Sequence, residues 1–222
     1  MKLLLDGHLT GAENMARDEA LLAAGEPVVR LYGWRPAAVS LGRSQGEELV
    51  IPPDLAARYG VDVVPRSTGG GAILHNEDEI TYCVVVPLDF PGLPRDLPGS
   101  FRHLSRGVLL AVQRLGLPAT FETGEGDRDA LCYLRRQGTH VMVNGRKISG
   151  GAQRRTATHV LQHGTLLVTR DVERMAALFQ VPQEAIDKKV VSLQDLGVQV
   201  PREKLLELVA EGFREALGVR WD

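Results

Sequence analysis

Apolar and polar positions recur along this chain with two periods, and those periods predict its elements. Met15, Ala16, Ala20, Leu21 and Leu22 fall at helical spacing within 13–24, and the pattern stops near Gly25. The clearest helix is 100–115, which carries Leu104, Val108, Leu109, Val112 and Leu115 on one face. Further helices are expected at 54–59, 172–179 and 201–217, the last with Pro201 in its first turn. Short apolar runs at 2–5, 28–32, 38–41, 61–64, 72–75, 80–86, 140–143, 147–148 and 160–168 predict strands. Asp6-Gly7 reads as the turn that ends the first strand, and Asn144-Gly145 as a hairpin turn. The strands cluster with helices interspersed, without a regular strand–helix–strand rhythm. That favours an α+β fold: a mixed, mostly antiparallel sheet flanked by helices.

Composition narrows the class without naming a chemistry. A chain of 222 residues, 44% hydrophobic and 24% charged, is expected to form one soluble domain over 1–222. The apolar run in MKLLLDGHLTG is too short for a signal peptide, and no run approaches the ~18 apolar residues of a membrane span. A cytoplasmic protein without a membrane role is therefore expected. Cys83 and Cys132 belong to no CxxC pattern and the six histidines to no HExxH, so no metal site is expected. A net charge of −2 and the lack of aromatic residues interleaved with basic ones argue against nucleic-acid binding.

The charge distribution changes the picture. Glu122, Glu125, Asp127 and Asp129 form an acidic run, after which no acidic residue occurs from Leu131 to Arg170. Such asymmetry fits two differently solvated faces, or a docking face for an acidic partner. Within the acid-free stretch lie Cys132 and, fifteen positions later, Lys147. Cations stabilise a thiolate, and a thiolate is a nucleophile. A buried structural cysteine with a solvated lysine is the bland alternative. Ser149-Gly150-Gly151-Ala152 follows the lysine with side chains small enough for a substrate to lie against the backbone. Cys83, inside the apolar ITYCVVVP, reads as core.

Two further constellations stand out. Arg66-Ser67-Thr68-Gly69-Gly70-Gly71-Ala72 with His75 is either a loop that cradles an anion or carbonyl, or a tight turn between strands. It is neither GxxxxGK[ST] nor GxGxxG. Gln162-His163-Gly164-Thr165 opens an apolar run, so His163 either orients a carbonyl or caps a strand.

Seven segments together resemble the lipoate–protein ligase and octanoyltransferase superfamily, whose catalytic domain is related to biotin–protein ligase. They are AENMARDEALL (12–22), VVRLYGW (28–34), SLGRSQ (40–45), RSTGGGAILH (66–75), EITYCVVVP (79–87), NGRKISGGAQRR (144–155) and LQHGTLLV (161–168). They occur in the family's order across roughly 1–170. Cys132, then Lys147, then GGAQ is similar to the cysteine-dependent octanoyltransferases of Gram-positive bacteria. The resemblance implies a biotin/lipoate–protein ligase-like fold, with Cys132 and Lys147 catalytic. It places Arg66, Gly69, Gly70, Gly71, His75, Gly150, Gly151, Ala152, His163, Gly164 and Thr165 around the substrate. It further implies octanoyl-acyl carrier protein as donor, a lysine of a lipoyl domain or glycine-cleavage H protein as acceptor, and a monomer needing no cofactor. Arg135, Arg136, Arg146, Arg154 and Arg155 are expected to cluster near Cys132 and attract these acidic partners. Gly69-Gly70-Gly71 is closer to the ligase form of the loop, and His140 stands where an acidic residue is common. The alternatives are an ATP- and Mg2+-dependent lipoate–protein ligase without its accessory domain, and a non-catalytic acyl- or lipoyl-domain-binding protein.

Overall fold

Two sheets meet face to face, with helices covering what remains exposed. The computed structural model describes residues 1–43, 45, 51–122 and 139–222. The seven-stranded sheet has the order β1 (Lys2–Leu9), β2 (Val28–Trp34), β6 (Ile80–Pro87), β10 (His159–Leu166), β9 (Arg146–Arg155), β8 (Val141–Val143), β7 (Ala119–Phe121). Only β1 and β2 run parallel in it. The smaller sheet is β4 (Val61–Pro65), β3 (Ala37–Leu41), β5 (Ile73–His75). The α+β expectation holds, with a mixed and mostly antiparallel main sheet.

Local chemistry sets the helix ends. In α1 (Gly11–Ala24) the Thr10 side chain accepts from the Glu13 N–H, while the Glu13 carboxylate accepts from the Thr10 N–H, a capping box. The helix closes on Gly25 at φ 69°. In α3 (Leu97–Arg114) the Asp96 carboxylate caps the Gly99 N–H at 2.7 Å. Pro201 stands just outside α6 (Arg202–Leu217) as its N-cap, one position earlier than the sequence suggested.

Leu104, Val108 and Val112 of α3 and Val209 and Phe213 of α6 bury one face of the main sheet against Val29, Leu31, Val84 and Ile148. The two helices cross at glycines. A Cβ on Gly212 would lie 2.1 Å from the Gly107 carbonyl oxygen, and one on Gly107 would lie 2.4 Å from the Phe213 ring. On the opposite face, Met15 and Leu22 of α1 pack with Tyr32, Trp34, Val85 and Leu161. The small sheet forms a further cluster with α2 (Pro53–Arg58), α4 (Val172–Phe179) and α5 (Gln183–Lys189).

Three sequence expectations change here. β1 runs on through Asp6-Gly7 with a register shift between Leu5 and His8, because pairing with β2 carries it past the turn signal. β9 does not stop after Ile148 but continues through Gly150-Gly151 to Arg155, paired with β10. Consequently Arg146 and Arg154-Arg155 occupy opposite ends of one strand, about 26 Å apart at the usual rise per residue. They do not cluster, and Arg135 and Arg136 lie outside the described residues. The Asn144-Gly145 turn is as expected, with φ of 49° and 75° joining β8 to β9.

Candidate active site

Cross-strand pairing lines up Arg30, Cys83, His163 and Ala152 on adjacent strands of the main sheet. Directly paired residues share a face, and this one looks toward α1 and the small sheet. Between the sheets lies a slot lined by Met15, Tyr32, Trp34, Ser40, Arg66, Ile73, His75, Thr81, Gly151, Ala152, His163, Gly164 and Thr165. Its free volume is about 10 Å³, room for roughly one water. Anything larger than a water therefore enters only as the walls part.

Around this slot the buried polar groups form a connected network. Asp18 of α1, 2% exposed, accepts from Arg30 Nη1 at 2.6 Å and from the Tyr32 hydroxyl at 2.9 Å, and faces His163 Nδ1 at 3.0 Å. His163 Nε2 meets Thr68 Oγ1 at 2.7 Å. Across the slot, Glu79 Oε1 lies 2.7 Å from His75 Nδ1, and His75 Nε2 lies 2.8 Å from Ser40 Oγ. Thr68 and Ser40 both accept from one guanidinium, Arg66, at 3.1 Å each. Arg66 has only donors to offer, so each hydroxyl accepts from it and keeps its own proton available to the Nε2 of a neutral imidazole whose Nδ1 carries the ring proton. Each imidazole in turn donates Nδ1–H to a carboxylate. Two carboxylate–imidazole–hydroxyl chains thus converge on Arg66. Trp34 closes the end, stacked on His75 at 4.0 Å between ring centres and donating Nε1–H to Thr81 Oγ1 at 2.7 Å.

Charge follows from this wiring. Burial pushes the His163 imidazole below its ordinary 6.5, and the Asp18 hydrogen bond offsets this only in part. Burial alone would raise the Asp18 carboxyl, but the His163 bond and the Arg30 guanidinium outweigh it and hold the group below 3.8. Both groups bind protons less readily folded than unfolded. Their stabilisation is therefore complete above about pH 6.5 and is lost as pH falls, through His163 first and Asp18 later. Urea unfolding at pH 7 and pH 5 should show a loss of stability in the wild type that is smaller in His163→Gln. Equal losses in the two proteins would contradict a neutral His163.

The residues singled out in the sequence are placed unevenly. Arg66, His75, Gly151, Ala152, His163, Gly164 and Thr165 line the slot, whereas Gly69, Gly70, Gly71 and Gly150 do not. Arg66 is buried, and beyond the two hydroxyls it donates to the carbonyls of Ser40, Gly69 and Gly71 at 2.7, 2.8 and 2.7 Å. Its donors hold the glycine loop in shape instead of reaching into the slot. His163 and His75 likewise have both ring nitrogens engaged within the protein, so neither offers a free nitrogen to a substrate in this state. Gly70 alone of the three loop glycines takes a positive φ, 92°. Its carbonyl approaches so closely that a Cβ on Gly42 would lie 1.9 Å away. Cys83 is fully buried, and burial together with nearby Asp18 pushes its thiol well up, which suits core and not nucleophile. Cys132 lies outside the described residues.

Lys147 is 3% exposed and is held by its backbone. It pairs with Met142 across the hairpin, and its carbonyl accepts from Val191 N–H at 2.9 Å. The Val190–Leu193 stretch that supplies this bond is pinned from outside. Arg170 bridges Asp187 and Asp195 at 2.5 Å each, and Asp195 accepts from the Ser192 N–H at 2.8 Å. Beyond Ser149, β9 loses β8 as a neighbour, and among the described residues no strand replaces it. That edge of Gly150–Ala152 can present backbone N–H groups to a carbonyl oxygen.

Asp18, Arg30, Ser40 and Glu79 were not singled out in the sequence reading, and Thr68 figured only as part of the glycine-loop constellation. One signal was available: an arginine in the middle of the apolar VVRLYGW must find a buried partner.

Residues 10–214 match the family described as the lipoyl protein ligase A/B catalytic domain. The chain belongs to that family. It is 36% identical to octanoyltransferase LipM of Kyrpidia tusciae, an alignment covering 99% of this chain and 88% of that protein. Octanoyltransferase LipM of Bacillus subtilis is 32% identical, with 96% and 84% covered. Among solved structures, lipoate-protein ligase A bound with ATP superposes with a TM-score of 0.84 at 26% identity, covering 100% of this chain and 87% of that one.

Proposed function

We propose that this protein is an acyltransferase that moves octanoyl from acyl carrier protein to a lysine of a lipoyl domain or glycine-cleavage H protein. The observation that carries the reading is its likeness to the LipM octanoyltransferases at 32–36% identity over nearly the whole chain. Cys132 and the buried Lys147 in the same chain fit that chemistry.

The Cys132 thiolate attacks the octanoyl thioester, giving an acyl-enzyme and freeing the carrier's thiol. The target amine then attacks this second thioester to form an amide. Exchange of one thioester for another is nearly balanced and amide formation is downhill, so neither ATP nor another cofactor is required. Lys147 manages the protons, and the Gly150–Ala152 backbone steadies the developing oxyanion. The apolar wall formed by Met15, Tyr32, Trp34 and Ile73 takes the alkyl chain, worth roughly 0.8 kcal/mol per buried methylene. Asp18, Arg30 and Arg66 keep that wall in register from behind.

The ligase reading draws on the likeness to an ATP-bound ligase and on the three-glycine loop. Mixing the protein with octanoyl-acyl carrier protein and a lipoyl domain separates the two. Octanoylation of the lipoyl domain should proceed at full rate without ATP. Modification only with ATP and the free acid would instead mark a ligase.

A further inference from the structure

Transfer through a covalent octanoyl-enzyme, the reading on which this inference rests, puts a negative charge twice on the same atom. In acylation the Cys132 sulfur attacks the thioester carbonyl carbon, and the electron pair of the C=O bond moves to oxygen. The C=O bond re-forms as the carrier's C–S bond breaks, and the carrier sulfur takes up the proton that the Cys132 thiol gave up. In transfer the neutral amine of the target lysine attacks the same carbonyl carbon. Its oxygen is charged again until the bond to Cys132 breaks, and one amine proton passes through Lys147 to the departing sulfur. A donor fixed beside that oxygen, keeping its own proton, lowers both barriers.

Among the described residues the slot keeps one such donor unused. Thr165 of β10 lines it, is 1% exposed, and its Oγ1 has no hydrogen-bond partner. Every other hydroxyl, ring nitrogen and guanidinium among the lining side chains is paired within the protein. Buried polar groups are normally satisfied, so a lone hydroxyl in a binding slot marks where a polar atom of the ligand comes. An octanoyl thioester carries one, since its carbonyl oxygen is the single strong acceptor on an otherwise alkyl chain. Register puts Thr165 at the end of the slot nearest Lys147. It pairs directly with Gly150 of β9, so the two share a face. Gly150 has no side chain to fill the space beside Thr165, and a methyl group built there would lie 3.7 Å from Lys147 Cδ. Thr165 and Lys147 thus border one gap from two strands, while the apolar Met15 and Ile73 of the slot come from α1 and β5. We propose that the Thr165 hydroxyl donates to the octanoyl carbonyl oxygen in both half-reactions, a catalytic side chain beside the Gly150–Ala152 backbone. The closed slot covers it, and the carbonyl meets it as the walls part.

Thr165→Val keeps the shape and removes the hydroxyl. By rapid quench, acylation from octanoyl-acyl carrier protein and single-turnover transfer to a lipoyl domain should each slow on the order of 10²-fold, with KM for either partner little changed. The urea midpoint should not fall, because the lost hydroxyl leaves no partner unpaired. Thr165→Ser, which restores a donor, should recover most of both rates. Thr165→Ala, compared with the serine variant, covers the case in which the valine variant misfolds. Wild-type rates in the valine or alanine variant, a serine variant as slow as they are, or slowing of only one half-reaction overturns the inference. A valine variant that slows and also unfolds at lower urea marks a structural hydroxyl and overturns it too. A wild type that forms no acyl-enzyme overturns the transfer reading itself, and the inference with it.

Discussion

Asp18→Asn should cost about 3 kcal/mol of folding stability, the scale of breaking one side of a buried ion pair. Asp18 is the shared acceptor for Arg30, Tyr32 and His163, and none of the four is more than 8% exposed. Asparagine keeps the shape but loses the charge, so among the described residues the fully buried Arg30 guanidinium retains only Asp6, 2.6 Å from its Nε, as an anionic partner. The amide also presents donors where three donors already point. A loss of that size is a large share of the 5–15 kcal/mol that typically separates folded from unfolded domains. Urea unfolding at pH 7 measures it directly, and a loss under about 1 kcal/mol would show that Asp18 is not the keystone of the network.

Lys147→Met should lower octanoyl transfer by roughly 10²–10⁴-fold while leaving the protein folded. Methionine preserves a flexible unbranched stem at a site that is nearly closed to solvent, so packing against the β8–β9 hairpin survives. What disappears is the only group in the account that accepts the proton of the incoming amine. Single-turnover transfer to a lipoyl domain, alongside a thermal unfolding curve, distinguishes lost chemistry from lost structure. A fall of less than tenfold in a folded variant would remove Lys147 from the mechanism.

How much of this was legible in the sequence differs from element to element. α4 and the Asn144-Gly145 turn were read directly, because an apolar face and a two-residue turn are both local signals. β7 and α5 were not. The first is three residues long, and the second buries only Ile186 and so carries no amphipathic repeat. β9 was cut short because two adjacent glycines look like a turn until β10 is there to pair with them. The glycines serve close approach instead: a Cβ on Gly164 would lie 2.4 Å from the Gly150 carbonyl oxygen.

The site divides in the same way. Segments around Arg66, Lys147 and His163 were visible as motifs, and the slot draws residues from all three. Their roles were not visible. Arg66 looked available to a ligand, yet its donors are spent on the loop and on two hydroxyls, a fact of tertiary geometry with no sequence signature. Asp18 sat in a stretch of ordinary helix charges, and only the strand pairing that brings Arg30 and His163 onto one face reveals it as an anchor.

The central claim is a covalent octanoyl-enzyme on Cys132, and intact mass tests it most directly. The protein and its Cys132→Ser variant are each mixed with octanoyl-acyl carrier protein in the absence of ATP. The account predicts an added octanoyl mass in the wild type that hydroxylamine removes and that the variant lacks. No adduct on a protein that still lipoylates a lipoyl domain when given ATP would contradict it and establish the ligase.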